Sequence, residues 1–120
     1  MSSKHDKLQS DCFLWLHNTF PKLRYLCHSN INSHPAWKGR EITILKGSGL
    51  VKGVLDLEFY YDQVLYVFDI KIGADRLKKE QKEFIAAIEA QGGKGYEIRS
   101  LEQFQKIILK IIEDDEQSRR

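Results

Sequence analysis

The chain has 120 residues and a mass of 14.0 kDa, which allows one compact domain with one hydrophobic core and excludes a two-domain enzyme. Hydrophobic residues make up 42% and charged residues 30%, with two prolines, so the composition is globular rather than disordered, collagen-like or low-complexity. Formal net charge is +2, from 19 Lys+Arg against 17 Asp+Glu, too small for bulk charge to announce a nucleic-acid binder.

No apolar run approaches the roughly eighteen residues that span a bilayer, and the start Met1-Ser2-Ser3-Lys4-His5-Asp6 lacks the apolar stretch of a secretory signal. These features predict a cytosolic protein with no membrane partner. Cys12 and Cys27 are too few for a disulfide scaffold and read as reduced packing residues. Charge is distributed unevenly. The segment 113–120 carries four acids and two arginines, which leaves the body before it at net +4, a balance permissive of nucleic acid.

In chain order, Leu8, Cys12, Trp15, Leu16 and Phe20 recur at helical spacing with Pro21 behind them, which predicts an amphipathic helix from about Lys4 to Thr19. Leu23 to Cys27 is a candidate short strand. Ser29 to Trp37 turns to Asn, Ser, His and Pro and reads as a loop, followed by a short helix over Lys38 to Lys46 that Gly47-Ser48-Gly49 breaks. Val54 to Ile72 is rich in β-branched and aromatic residues around a polar Tyr61-Asp62-Gln63, and reads as a β-hairpin.

Gly73 ends the hairpin, Asp75 is placed to cap a helix reaching about Gln91, and Gly92-Gly93 stops it. The inward stripe of that helix is Leu77, Gln81, Phe84 and Ile88. Lys94 to Ile98 is a last strand. Ser100-Leu101-Glu102-Gln103 matches a capping box ahead of a helix carrying Phe104, Ile107, Ile108, Ile111 and Ile112. The expected domain is 1–112, with 113–120 as a frayed charged tail. The β-α-β order in the second half predicts a crossover, hence an α/β fold with a small mixed sheet flanked by helices.

The chemistry lies in the hairpin. Residues two apart on a strand share a face, so Asp56 and Glu58 oppose Leu55, Leu57 and Phe59, while Asp69 and Lys71 oppose Phe68, Ile70 and Ile72. With Asp62-Gln63 as a two-residue loop, Tyr61 pairs with Val64 and Asp56 falls opposite Asp69. A four-residue loop keeps that pairing and a three-residue loop breaks it. Facing carboxylates repel unless something relieves them, and Mg²⁺ held by one or two carboxylates, with waters and phosphate completing the octahedron, is one such relief. Lys71 on the same face brings an ammonium that stabilises developing negative charge, and the set fits phosphodiester hydrolysis. Gln81, in an otherwise apolar stripe, needs partners if buried and is placed to find them at this site. The competing reading is an ordinary solvated hairpin face with a half-exposed glutamine beside it.

Gly53-Val54-Leu55-Asp56-Leu57, Phe68-Asp69-Ile70-Lys71, Gln81 and Ile98-Arg99-Ser100-Leu101-Glu102, together with Trp15, Pro21, Asn30 and Lys46-Gly47 upstream, resemble the VRR-NUC nucleases of the PD-(D/E)XK superfamily. The resemblance implies a restriction-endonuclease-like core, with Asp56 and Asp69 as metal-binding acids, Lys71 as the catalytic lysine and Gln81 as the glutamine of the following helix. It also implies the Ile70 main-chain carbonyl as a further metal ligand. The cofactor implied is Mg²⁺ or Mn²⁺, and the activity is a homodimeric DNA endonuclease acting on branched DNA, including Holliday junctions. Leu55 stands where the family usually has proline. In the first helix, where the family usually has a glutamate, counting back from Gln9 reaches His5, with Asp6 beside it; His5 favours Mn²⁺ as a softer ligand. That departure sustains an alternative, a nuclease-like fold that binds nucleic acid with weak or lost cleavage. A third reading is a regulatory domain whose hairpin acids merely face solvent.

Other signals are thinner. His17, His28 and His34 with Cys12 and Cys27 match no compact zinc pattern. Lys38, Arg40, Lys46 and Lys52 precede the hairpin and are the candidate phosphate contacts, with a solvated helix and loop as the alternative. Trp15 belongs to the core stripe. Trp37 follows Pro35 in a polar loop, where it either stacks on a base or packs the loop.

Overall fold

A computed structural model describes residues 3–30 and 53–118. Helix α1, Lys4–Thr19, starts where Ser3 Oγ accepts the Asp6 N–H at 3.0 Å, which satisfies one of the unpaired donors of the first turn. Its buried positions, Cys12 and Leu16, lie four apart on one stripe. Pro21 then opens a single 3₁₀ turn, Pro21–Leu23, and the first strand follows as β1, Cys27–Ser29. The strand expected over Leu23 to Cys27 is therefore displaced. Leu26 N–H closes back on the Leu23 carbonyl, so the backbone between them is a turn and cannot extend.

The hairpin is formed by β2, Leu57–Tyr61, and β3, Val64–Ile70. Asp62 and Gln63 both have positive φ, 49° and 68°, the backbone that a two-residue turn needs to match the twist of the strands it joins. That turn sets Tyr61 opposite Val64 and Leu57 opposite Phe68, the register expected from the pattern of residues. Helix α2, Lys79–Ala90, crosses to β4, Lys94–Ile98, which lies parallel to β3. Helix α3, Leu101–Ser118, closes the fold. Among the described residues the sheet is β1-β2-β3-β4, antiparallel except for the last pair, and three α-helices flank it. This is the small mixed α/β sheet that the order of elements implied.

One sheet face carries Leu57, Phe59, Tyr66, Phe68, Ile70 and Ile98 into a core with Cys12 and Leu16 of α1 and Phe104 and Ile108 of α3. Phe68 and Phe104 meet edge to face at 5.1 Å, and Trp15 meets Phe104 likewise at 6.2 Å, which binds both helices to the same strand. The opposite face is built for α2. Gly95, beside Val67, leaves room for Ile85; a Cβ there would lie 2.6 Å from the Ile85 side chain.

Two boundaries depart from expectation. Helix α2 begins at Lys79 with Lys78 as its cap residue, not at Asp75, because the backbone from Gly73 to Asp75 is held by Arg99 and by an Asp75 N–H to Ile72 carbonyl bond. Leu77 therefore precedes the helix, and Gln81, Phe84, Ile85 and Ile88 make the inward stripe. The charged segment expected as a frayed tail from residue 113 continues α3 to Ser118. Tyr61 donates its hydroxyl to buried Asp115 at 3.1 Å, and Lys110 pairs with Asp114 one turn along, so this stretch is tied to the sheet. The loop from 31 on, the short helix over Lys38 to Lys46, His34, Trp37 and the basic residues Lys38, Arg40, Lys46 and Lys52 lie outside the described residues.

Candidate active site

The site forms where the ladder of the hairpin stops. Pairing of β2 with β3 ends at Leu57, and one residue earlier the Asp56 side chain replaces it: Oδ2 accepts the Ile70 N–H at 2.7 Å. The Asp56 carbonyl in turn accepts the Asn30 N–H at 3.0 Å. A buried main-chain donor needs a partner, so this bond fixes the Asp56 carboxylate against β3 beside Asp69. Asp56 is 4% exposed, Asp69 1% and Lys71 8%. These groups are enclosed, which contradicts the solvated-face reading.

Lys71 follows the end of β3 and is anchored to the sheet through its own N–H, donated to the Ile98 carbonyl at 2.9 Å. Its Nζ lies 2.7 Å from Asp69 Oδ2, a close ion pair whose angle leaves Oδ2 without an aligned hydrogen bond. Gln81 joins the two. Its Oε1 accepts from Lys71 Nζ at 3.2 Å and from the Lys78 N–H at 2.8 Å, and its Nε2 donates to Asp69 Oδ1 at 3.2 Å. The amide thus fixes α2 to the site, which answers the demand that a polar residue in an apolar stripe find partners.

Burial is the main cause that pushes the Asp69 carboxyl from 3.8 up to about 6. The Lys71 ammonium pulls against that shift, and the neighbouring Asp56 charge adds to it. Two acids within reach of each other in a sparsely hydrated corner resist being ionised together.

His5 arrives from the first turn of α1, with Nε2 3.1 Å from Asp56 Oδ2, while Nδ1 lies 3.6 Å from Asp6 Oδ1. Of the two residues singled out in the first helix, His5 reaches the carboxylates and Asp6 stays largely exposed behind it. The Ile70 main chain meets the site through its N–H.

Sequence reasoning passed over two contributors. Asn30 Nδ2 donates to Glu58 Oε1 at 2.9 Å and to the Leu55 carbonyl at 3.1 Å, steadying the strand on both sides of Asp56. Arg99 reaches from the end of β4 to the carbonyls of Gly73 and Asp75 and to Glu97, holding the segment that connects Lys71 to Gln81. Both residues stand in the motifs quoted for the resemblance, which was the available signal; their bonds are long-range and invisible to periodicity.

Asp56 and Asp69 are hard oxygen donors that need no third side chain to suit an octahedral ion retaining waters. Among the described residues, no group of three or more His, Cys, Asp and Glu forms a metal cage. A cleft of about 660 Å³ lies at the opposite, hairpin-turn end of β3, lined by Tyr61, Val64, Lys94 and Lys110. Volume alone does not locate the carboxylate–lysine chemistry. No described helix is long and apolar enough to cross a membrane.

No family model matches the chain. No curated protein matches it. Among solved structures, one described as a "VRR_NUC domain protein" superposes with a TM-score of 0.73 at 19% sequence identity, covering 94% of this chain and 91% of that one. With four strands and three flanking helices among the described residues, and this superposition over nearly its whole length, the chain has the fold of a VRR_NUC domain protein.

Proposed function

We propose that the protein is a nuclease that hydrolyses phosphodiester bonds in DNA with a divalent cation, Mg²⁺ or Mn²⁺, held by Asp56 and Asp69. The observation that carries this reading is the enclosed grouping of Asp56, Asp69, Lys71 and Gln81, in which two acids crowd one another while an ammonium stands 2.7 Å from one of them. The donor set fits a hard cation: it is oxygen-rich, and buried Asp69 Oδ2 retains acceptor capacity beside the ion pair. Such a cation supplies Lewis-acid polarisation of a phosphoryl oxygen. The Ile70 carbonyl is the further ligand proposed, and His5 the flanking one.

The chain's own groups divide the remaining work. Lys71 is held by Gln81 with its ammonium facing the carboxylates, where it stabilises negative charge that builds on phosphate oxygens in the transition state. Gln81 keeps Asp69 oriented by donating to Oδ1, which leaves Oδ2 toward Lys71, where it would be one of the oxygens available to hold a cation. Ile70 N–H and His5 hold Asp56 from two sides. Branched DNA, Holliday junctions included, is the proposed substrate, and a homodimer the proposed assembly, because two cuts across a symmetric junction need two sites and each chain supplies one.

The test is incubation with synthetic four-way, flap and linear DNA in Mg²⁺ or Mn²⁺, beside Asp69→Ala and Lys71→Ala. Cleavage that stops in EDTA and falls at least about 100-fold in both variants is expected. Cleavage that survives both substitutions overturns the assignment. The contact of His5 with Asp56 favours a second reading, binding without efficient cleavage, since it engages an oxygen the cation would use. Junction binding with no metal-dependent cutting selects that reading.

A further inference from the structure

A cleft of about 420 Å³ lies between the 73–77 segment and α2, with Arg76, Lys82, Arg99 and Glu97 on its walls. Its position follows from the chain. Gly73 is two residues past Lys71, and Lys82 directly follows Gln81, so the two walls are continuations of the two segments that build the site. Glu97 on the cleft wall is the register partner of Asp69, so the cleft continues from the sheet position that carries the site.

The charged lining of the cleft is Arg76, Lys82 and Arg99 against Glu97, net +2. Within the cleft the three cations have different duties. Arg99 is committed to the fold by its bonds to the Gly73 and Asp75 carbonyls and to Glu97, which neutralises it. Among the described residues, Arg76 and Lys82 make no ion pair; both are exposed at the rim. Arg99 keeps the wall in place while the other two point a net positive field at whatever enters.

We propose that this cleft binds a phosphodiester of the substrate strand adjacent to the one hydrolysed, with Arg76 and Lys82 as its ligands. The proposal rests on the nuclease reading above and adds to it the residues that set where the strand lies. Arg76 offers a planar fork matched to two phosphate oxygens, and Lys82 a point charge. Contacts of this kind fix register and carry no base information, so they act equally on all sequences.

The test is the affinity of the full chain for fluorescein-labelled four-way and single-stranded DNA, measured in EDTA across a salt series, with cleavage rates measured separately. Arg76→Gln/Lys82→Gln is compared with Lys106→Gln/Lys110→Gln, which removes equal charge from the cleft at the opposite end of the sheet. The first pair is expected to weaken binding about tenfold or more and to flatten the log–log salt slope by roughly 0.7 to 0.9 per cation removed. Cleavage at subsaturating DNA should fall for the first pair in step with its loss of affinity. Equal affinity and slope in both pairs overturns the cleft assignment while leaving the nuclease intact. A wild-type protein that neither binds nor cuts DNA overturns both.

Discussion

A Cβ on Gly53 would sit 2.5 Å from the Glu80 carbonyl oxygen, at a backbone φ of +96° that L side chains rarely adopt. Three residues before Asp56, the chain thus presses main chain against the first turn of α2, one residue before Gln81. Gly53→Ala is expected to destabilise the fold by at least about 2 kcal/mol, from overpacking and backbone strain acting together. Urea unfolding checks this. A variant as stable as wild type would show that the segment moves aside at no cost, and that Asp56 is not positioned through it.

The Asp69 carboxyl sets a pH dependence whose sign follows from its displacement, from 3.8 up to about 6, caused chiefly by burial. Between those values the folded protein holds the proton more often than the unfolded chain, so stability from this group falls as pH rises from about 4 to about 6. Above that window, on the proposed reading, a divalent cation would relieve the paired anions. Thermal midpoints in EDTA, compared with those of Asp69→Asn, should show the wild type losing ground over this window, and millimolar Mg²⁺ should raise the wild-type midpoint more above pH 6 than below pH 5. An Mg²⁺ increment that is flat with pH, or equal in Asp69→Asn, contradicts cation binding at Asp69.

Gln81 separates a positioning role from a packing one. Gln81→Glu retains the oxygen that accepts from Lys71 but replaces the Nε2 donor to Asp69 Oδ1 with a second anion. Asp69 should then ionise at still higher pH, and the rising limb of the pH–rate profile should move up by about one unit. Gln81→Leu fills similar space, loses all three side-chain bonds, and should cut the rate about tenfold or more without displacing that limb upward. Identical profiles in the two variants would leave Gln81 as nothing more than a helix anchor.

Much of this arrangement was legible before any coordinates, and the reason is local. The register of β2 against β3, up to Leu57 opposite Phe68, depends only on Asp62-Gln63 closing a two-residue turn, and the ends of β4 are marked by Gly93 and by Ser100, whose Oγ accepts the Gln103 N–H. What escaped is what distant residues decide. Asp75 is a good cap by type, yet Arg99, two dozen residues later, takes the carbonyls of the 73–75 stretch and delays the helix to Lys79. Glu113 to Ser118 reads as a solvated tail until Tyr61 is seen to hold Asp115 from across the sheet. Asp56 accepting the Ile70 N–H in place of a ladder bond belongs to the same class: alternation places the side chain on a face without saying that it will fold over its partner strand.

Cys12 and Cys27 give a probe of whether α1, which delivers His5 to the site, stays seated on the sheet. Cys12 is fully buried and Cys27 nearly so, and burial pushes both thiols from 9.0 up to about 12, with Asp11 adding to the effect at Cys12. The thiolate is the reactive form, so at pH 8 a rise of this size lowers its population by about 10³-fold before any steric shielding is counted. Iodoacetamide should therefore leave both cysteines unmodified in the native protein and label them at the rate at which the fold opens, rising in step with urea. The sign of the linked stability is fixed by the same displacement: the contribution is complete below about pH 9 and is lost as pH climbs toward 12, when the unfolded chain ionises first. Rapid native labelling at Cys12 with Cys27 protected would mean that α1 lifts from β1 while the sheet persists. In that case the His5–Asp56 contact would be intermittent, and His5→Ala should leave cleavage by the Asp56 and Asp69 pair unchanged rather than altering its Mn²⁺ preference.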